Sequence, residues 1–184
     1  MQIELKKART LLSPRICALI STTNEDGSVN ASPYSWVFPF SYSPLLVGVG
    51  AGNTKVKHTQ ANVEREKEFV INFISKDFGQ KAINLESLHE SSQLEEVGLN
   101  AVDSKEIKTK GIAEAKIRLE CRLSEILPVK RGDHILLIGE VVAAYAEKMN
   151  DFVPDLQGME TLTHVAGEEF RLAGEKVILE RKKK

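Results

Sequence analysis

Hydroxyl side chains are concentrated in residues 29–50, a stretch whose β-branched and aromatic residues predict two strands. They include Ser32, Tyr34, Ser35, Ser41 and Ser43. Three prolines interrupt the same stretch, and a proline removes a backbone donor from a strand and favours an edge, a bulge or a bend. Because a bent strand leaves backbone groups free, the stretch predicts a ligand site built from uncharged groups. Each serine taken alone also fits a solvent-facing strand position.

A glycine-rich loop followed by a helix predicts an anion site further along the chain. The loop consists of Gly50, Ala51 and Gly52. Near the start of the predicted helix stand Lys57, His58 and Thr59. Free N–H groups at a helix N-terminus, a nearby cation and closely approaching backbone all favour a phosphate. The alternative is an ordinary exposed helix start.

Other catalytic and cofactor motifs are missing from the sequence. His89 and His164 have no partners at metal-ligand spacing, so we expect no zinc or non-haem iron site. The sequence contains no supported Ser-His-Asp arrangement, no Walker loop and no GxGxxG after a strand.

Most of the secondary structure predicted around the serine-rich stretch and the glycine-rich loop consists of strands. Runs rich in β-branched or alternating apolar residues predict strands at residues 16–23, 45–53, 69–75, 112–129 and 133–147. Helical patterns predict helices at residues 55–68 and 76–87, and Ser75 or Asp77 could cap the start of the second helix. Residues 89–105 are polar and helix-biased, which predicts a surface excursion. The tail after Asn150 is predicted to be irregular. This order predicts a mainly β protein with added helices, folded as a closed or nearly closed antiparallel barrel.

Composition sets the broad class. The 184 residues are 42% apolar, which is enough to form the core of one domain. The 25 basic and 26 acidic side chains nearly cancel, so we do not expect nucleic acid or an anionic membrane as a partner. Cys17 and Cys121 lie in apolar runs, so we expect core thiols rather than a disulfide. No secretory signal or membrane-length apolar run is present, so the expected location is the cytoplasm.

Several runs in order carry a family resemblance. They are SPRICALISTTNEDGSVNASPYSWVFPFSYSPLLVGVG, KHTQANV, FVIN, LECRL and GDHILLIGEVV. Together, from about Ser13 to Val142, they resemble the flavin reductase-like family with the FMN-binding split-barrel fold. The stretch LTHVAGEEF, where relatives close the barrel with a Leu-Tyr or Gly-Tyr signature, matches weakly. The resemblance implies a single flavin reductase-like FMN-binding domain over residues 1–184.

The resemblance also implies roles for particular residues. Ser35, Trp36 and Ser41 would contact the flavin ring and ribityl chain, with Tyr34 beside them, although Trp36 by itself could equally be a core aromatic. The matching Lys-x-Thr-x-x-Asn run implies that Lys57 supplies charge and Thr59 a hydroxyl. Asn62 would place an amide near the phosphate or pack the helix. His58 stands where relatives often have aspartate.

His134 follows a Gly-Asp turn that resembles the turn found near the nicotinamide in flavin reductases. The resemblance implies that His134 positions the nicotinamide or tunes the ring, whereas the residue alone could be a surface residue at a strand start. The implied cofactor is FMN, with FAD as the alternative, and NADH or NADPH is the implied reductant. A homodimer and an electron-acceptor protein are implied partners.

The function expected is an NAD(P)H-dependent flavin reductase. A flavoredoxin-like electron carrier with tightly bound FMN and no direct nicotinamide activity is the main alternative. A small barrel that stacks single-stranded nucleic acid on Tyr34 and Trp36 is a third hypothesis. The balanced charge and the 6% aromatic content argue against it, because such barrels need a basic, aromatic-lined groove.

Overall fold

A computed structural model describes residues 2–53, 58–88 and 93–179 of the chain. The strands in these residues are β1 (Arg15–Ile16), β2 (Ala18–Thr23), β3 (Val29–Tyr34), β4 (Val37–Ser41), β5 (Leu46–Gly52), β6 (Glu68–Phe73), β7 (Ala101–Val102), β8 (Gly111–Ile112), β9 (Ile117–Pro128), β10 (His134–Ala146), β11 (Met149–Asn150), β12 (Val153–Pro154), β13 (Leu162–Ala166) and β14 (Glu169–Leu172). The helices are α1 (His58–Glu66), α2 (Gly79–Asn84) and α3 (Gln93–Glu96), with 3₁₀ turns at Leu5–Leu11 and Leu85–Ser87.

Seven strands form one antiparallel sheet in the order β3-β2-β6-β9-β10-β5-β4. Its two edge strands, β3 and β4, are consecutive in the chain and separated only by Ser35 and Trp36. The sheet must therefore curl until its edges meet at these two residues, and β3 also packs against β5. Two register shifts in the β9–β10 pair accompany this curvature, since bulges bend a strand and increase its twist.

A second sheet lies beside the corner where β3 and β4 meet. It has the order β1-β13-β14, and β1 pairs with β13 so that Arg15 stands opposite His164. A hairpin of β13 and β14 therefore occupies part of the tail after Asn150, so the prediction of an irregular tail was wrong there. The β13–β14 pair is local, whereas the other neighbour of β13 is β1, about 150 residues earlier, which no pattern in the tail indicates.

Two apolar clusters form the core. One fills the barrel and includes Phe69, Ile71 and Cys121, whereas the other includes Cys17 and packs the barrel against α2. Both cysteines are buried and free. The prediction that they act as core thiols is confirmed, and the two lie in different clusters.

The helices predicted at 55–68 and 76–87 were correct in type, but the end of the first and the start of the second were misplaced, and the predicted start at residue 55 lies outside the described residues. Within the described residues α1 ends at Glu66, since Lys67 adopts a φ of 61° and the chain turns to bury Phe69 in the barrel. Helix α2 begins at Gly79, and neither predicted cap is used. The Ser75 hydroxyl donates to the Asp77 carboxylate, which also pairs with Lys116, so tertiary contacts occupy both side chains.

Candidate functional site

Trp36 and His134 form a flat aromatic surface at the corner between β3 and β4. Their rings are stacked, with centroids 4.4 Å apart and an angle of 15° between the planes. The indole lies on the backbone of Gly50, where an added Cβ would be 3.0 Å from Trp36 Cε3, and the Gly50 N–H donates to the Trp36 carbonyl. Trp36 is 43% exposed, so it is a surface aromatic rather than a core one.

The turn before β10 holds His134 next to the glycine-rich loop. In the β5–β10 register His134 stands opposite Gly52, and the Asn53 N–H donates to the Asp133 carbonyl over 2.7 Å. His134 Nδ1 lies 2.6 Å from Asp133 Oδ1, and this hydrogen bond lowers the pKa of the Asp133 carboxyl. An added Cβ on Gly52 would meet nothing within 4 Å, whereas Ala51 is buried in the barrel core.

Ser35 points into different surroundings from Trp36, as successive residues of an extended chain do. It lines a cavity of about 1000 Å³ between β3, α2 and the β13–β14 hairpin. The apolar part of the lining includes Cys17, Ile74, Ile83, Leu162 and Phe170. The polar part includes Tyr34, Lys76, Gln80, Glu86, His164 and Glu168. The cavity thus combines apolar walls with several polar and charged groups, including Lys76, Glu86 and Glu168.

His164 joins the cavity to the second sheet. Its Nδ1 lies 3.1 Å from Ser35 Oγ and 3.2 Å from Arg15 Nη2, and its Nε2 lies 3.1 Å from the Gly167 carbonyl oxygen. In the sequence His164 was considered only as a metal ligand, and Arg15 was not among the predicted site residues. Their separation of 149 residues explains the omission, because only strand pairing brings them together.

Thr59 and Asn62, at the start of α1, are buried in a polar network. Asn62 Nδ2 donates to Thr22 Oγ1 and to Asn24 Oδ1, and Asn30 Nδ2 donates to Thr59 Oγ1. Both amide hydrogens of Asn62 are therefore used inside the protein. This geometry favours the helix-packing alternative for Asn62. His58 is exposed, and Lys57 lies outside the described residues.

Tyr34 connects the cavity with the start of α1. Its side chain lines the cavity, and its hydroxyl is hydrogen-bonded to Thr59. Burial raises the pKa of Tyr34, and the hydrogen bond with Thr59 lowers it by less. The ring and phosphate regions expected from the sequence are therefore neighbours.

Ser41 is a predicted site residue that the fold does not bring to this cluster, and the buried Ala51, the exposed His58 and the inward-turned Asn62 also lie outside it. Ser41 is the last residue of β4, where it pairs with Leu46. It stands five residues after Trp36, and five residues of extended strand separate the two positions by about 17 Å. Between them Phe38 and Phe40 are exposed on the outer surface. The grouped residues are Ser35, Trp36, Gly50, Gly52 and His134, with Thr59 joined to them through Tyr34.

Reactive and metal-binding groups add little to this site. Burial raises the pKa of the Cys17 thiol to about 12, so this cavity residue stays protonated at neutral pH. Across residues 2–53, 58–88 and 93–179 no three His, Cys, Asp or Glu side chains come together as a metal-binding group. No helix in the same ranges has the length and apolar character needed to cross a membrane.

Comparisons with known proteins agree with this geometry. The uncharacterized protein BH2278 of Halalkalibacterium halodurans is 30% identical over 182 residues, covering 91% of this chain and 86% of the relative. A solved Shewanella frigidimarina structure with a split barrel domain has a TM-score of 0.85 at 19% identity and covers 97% of this chain and 94% of its own. The flavoredoxin of Desulfovibrio vulgaris has a TM-score of 0.82 at 20% identity, with 97% of each chain covered.

These likenesses confirm the predicted split-barrel fold. The model of the flavin reductase like domain matches residues 12–164, which is most of the chain and includes both Ser35 and His164. The match begins just before Arg15 and ends in β13, so it covers the paired strands around the cavity. The chain belongs to the flavin reductase-like family.

Proposed function

We propose that this protein binds FMN and catalyses its reduction by NADH or NADPH. The observation that carries the proposal is the cavity beside Ser35, joined by Tyr34 to the start of α1. A ligand with an apolar ring and an anionic end needs those two environments next to each other. Family membership supports a flavin as that ligand.

The residues present fit such a cofactor. Ile74, Leu162 and Phe170 offer apolar walls to a ring, while the Ser35 hydroxyl, which is in contact with His164, offers a hydrogen bond at its edge. At the phosphate end the Thr59 hydroxyl is occupied by Asn30 and Tyr34. Helix N–H groups and Lys57 are therefore the proposed phosphate partners.

We keep His134 in the proposal as the positioning residue for the nicotinamide, and its stacked pair with Trp36 lies outside the lining of the Ser35 cavity. A bound flavin supplies the hydride-accepting chemistry, so the protein needs to align two rings more than to provide an acid or a base. His134 is fixed on one side by Asp133 and on its face by Trp36, which suits a positioning role.

A homodimer is a further part of the proposal. Trp36, Phe38 and Phe40 are 43%, 41% and 48% exposed along the outer side of β4, which is a large exposed aromatic strip for a monomer. We call these three residues the aromatic strip, and a second copy of the chain is its proposed partner. An electron-acceptor protein and a cytoplasmic location stay predictions.

The first test is an absorbance spectrum of the purified protein between about 300 and 550 nm, the range of flavin absorption. Flavin bands that bleach under anaerobic NADH or NADPH would support the reductase. Bands that bleach only with dithionite would support a flavoredoxin-like electron carrier instead. A colourless protein that also fails to bind added FMN would contradict both.

The second test compares two lysine variants by FMN titration, using fluorescence of the chain's one tryptophan, Trp36. Lys57→Ala is expected to weaken FMN binding roughly 10- to 100-fold, since a hydrogen bond to a charged group contributes about 1.5–3 kcal/mol. Lys105→Ala is the control, because that exposed lysine pairs only with Glu106 among the described residues. Equal affinities in the two variants would contradict the proposed phosphate site.

A further inference from the structure

Arg15 carries a positive charge that no described carboxylate balances. Its Nη1 contacts the carbonyl oxygens of Arg9 and Leu12 and the Ser13 hydroxyl, and its Nη2 donates to the Val165 carbonyl over 2.8 Å. These acceptors are all neutral. Across residues 2–53, 58–88 and 93–179 its guanidinium forms no ion pair within 4 Å, and its buried Nε has no hydrogen-bond partner.

The contacts of His164 fix its tautomer. Arg15 can only donate, so the Nδ1 atom at 3.2 Å from its Nη2 must be the unprotonated acceptor. The Gly167 carbonyl can only accept, so the Nε2 atom at 3.1 Å from it must carry the proton. Both contacts select the same neutral form, with hydrogen on Nε2. Protonation of Nδ1 would place a second N–H against the guanidinium.

Ser35 competes with Arg15 for the single acceptor position on Nδ1. Ser35 Oγ lies 3.1 Å from that atom, close to the 3.2 Å of the Arg15 contact. When Arg15 occupies the acceptor position, the Ser35 hydroxyl proton is free to point into the cavity. The cavity wall then presents a neutral donor with the positive charge of Arg15 behind it, in a lining that also contains Lys76, Glu86 and Glu168.

We propose that Arg15 is a positioning residue that acts through His164 and Ser35 to make the cavity favour a flavin carrying negative charge. This inference rests on the proposed function. Uptake of two electrons and one proton leaves a flavin ring with one negative charge more than before, whereas a second proton would neutralise it. A cation behind a partly buried wall favours the charged outcome, because Coulomb attraction is stronger there than in water. The midpoint potential of the bound flavin should therefore depend on Arg15.

The tautomer is testable without any flavin, by long-range ¹H–¹⁵N NMR of the unmodified protein. The chain has four histidines, and the signals absent from a His164→Gln variant identify His164. We expect the proton on Nε2 and an unprotonated Nδ1. A His164 found with its proton on Nδ1 would overturn the inference, whether or not the protein binds FMN.

The charge is testable by midpoint potentials of the FMN-loaded protein at about pH 8.5, where an ordinary histidine is neutral. Arg15→Gln should lower the equilibrium constant for two-electron reduction about tenfold, which is a shift of about 30 mV. Arg15→Lys keeps the charge and should restore most of that loss. Arg171→Gln is the control, since Arg171 lies on the same small sheet but is paired with Glu169.

Two results would overturn the charge argument. One is an Arg15→Gln potential equal to that of Arg171→Gln. The other is an Arg15→Lys potential as low as that of Arg15→Gln, which would indicate a purely structural guanidinium. Failure of every variant and of the unmodified protein to bind FMN would instead contradict the proposed function. In that case the inference about the flavin charge fails with the proposed function, and the NMR result tests only the tautomer of His164.

Discussion

Gly50 determines how Trp36 lies at the site. The indole rests on the strand because position 50 has no side chain, and the same placement brings the ring onto His134. A residue chosen in the sequence for close backbone approach to a phosphate thus supports an aromatic ring. Gly52 stays open to a ligand.

Gly50→Ala is expected to displace Trp36. The added methyl would lie 3.0 Å from Cε3 and 3.1 Å from Cβ of the indole, so the ring must move and lose its stacking with His134. We expect a changed Trp36 emission spectrum and a loss of about 1 kcal/mol in unfolding free energy, the range for an aromatic pair. Fluorescence and urea denaturation measure both.

Gly52→Ala is the matched control, because its methyl would meet nothing within 4 Å. This variant should keep the parental emission and equal or slightly exceed the parental stability, as a compatible glycine replacement does. If the two alanine variants behave alike, the packing of Trp36 on Gly50 does not hold the ring.

At the scale of elements, α1 is attached to the barrel by polar groups as well as by Val63. Asn62 connects the helix to Thr22 and Asn24 of the β2–β3 hairpin, and Arg65 donates to the Thr23 carbonyl. The position of the helix start therefore depends on a buried hydrogen-bond network. A displaced helix would carry the proposed phosphate partners with it.

Asn62→Leu should lower the unfolding free energy by about 2–3 kcal/mol, because the buried partners of its amide lose their hydrogen bonds. Gln60→Ala, on the same helix, removes a contact with Glu64 at an exposed pair and should cost no more than about 0.5 kcal/mol. Urea denaturation compares the two. Similar losses would mean that the Asn62 network contributes little to stability.

At the scale of the whole molecule, the split barrel exposes aromatic rings on one side. Phe38 lies over Gly48 as Trp36 lies over Gly50, so the aromatic strip is laid flat along β5. Flat, apolar and partly exposed surfaces of this kind are typical of protein contacts. The strip also includes Trp36, so an interface there would lie beside His134, the residue proposed to position the nicotinamide.

The double variant Phe38→Ser, Phe40→Ser should convert a dimer to a monomer, because it removes the centre of the aromatic strip. Sedimentation equilibrium measures the state. Phe152→Ser is the control, since that ring is 97% exposed but lies away from the strip, next to β12. A monomeric unmodified protein, or a double variant that stays dimeric, would contradict the proposed interface.

Much of this molecule was predictable from local patterns. Alternating apolar residues predict the long strands β9 and β10, and the Asp26–Gly27 turn predicts the hairpin of β2 and β3, because both patterns act between near neighbours in the chain. The grouping of Ser35, Trp36 and the glycine-rich loop was also accessible, since β4 and β5 are consecutive strands. The caps expected at Ser75 and Asp77 failed because Lys116, far along the chain, binds Asp77.

The family, the mainly β fold and the residues around the β4–β5 hairpin could be predicted from the amino-acid sequence. The inward orientation of Thr59 and Asn62, the separate position of Ser41 and the contact of Arg15 with His164 behind Ser35 became visible only in the folded chain. The difference lies in the range of the interactions. Local propensity acts over a few residues, whereas the hydrogen bond between His164 and Ser35 joins positions 129 residues apart and forms only when β1 pairs with β13.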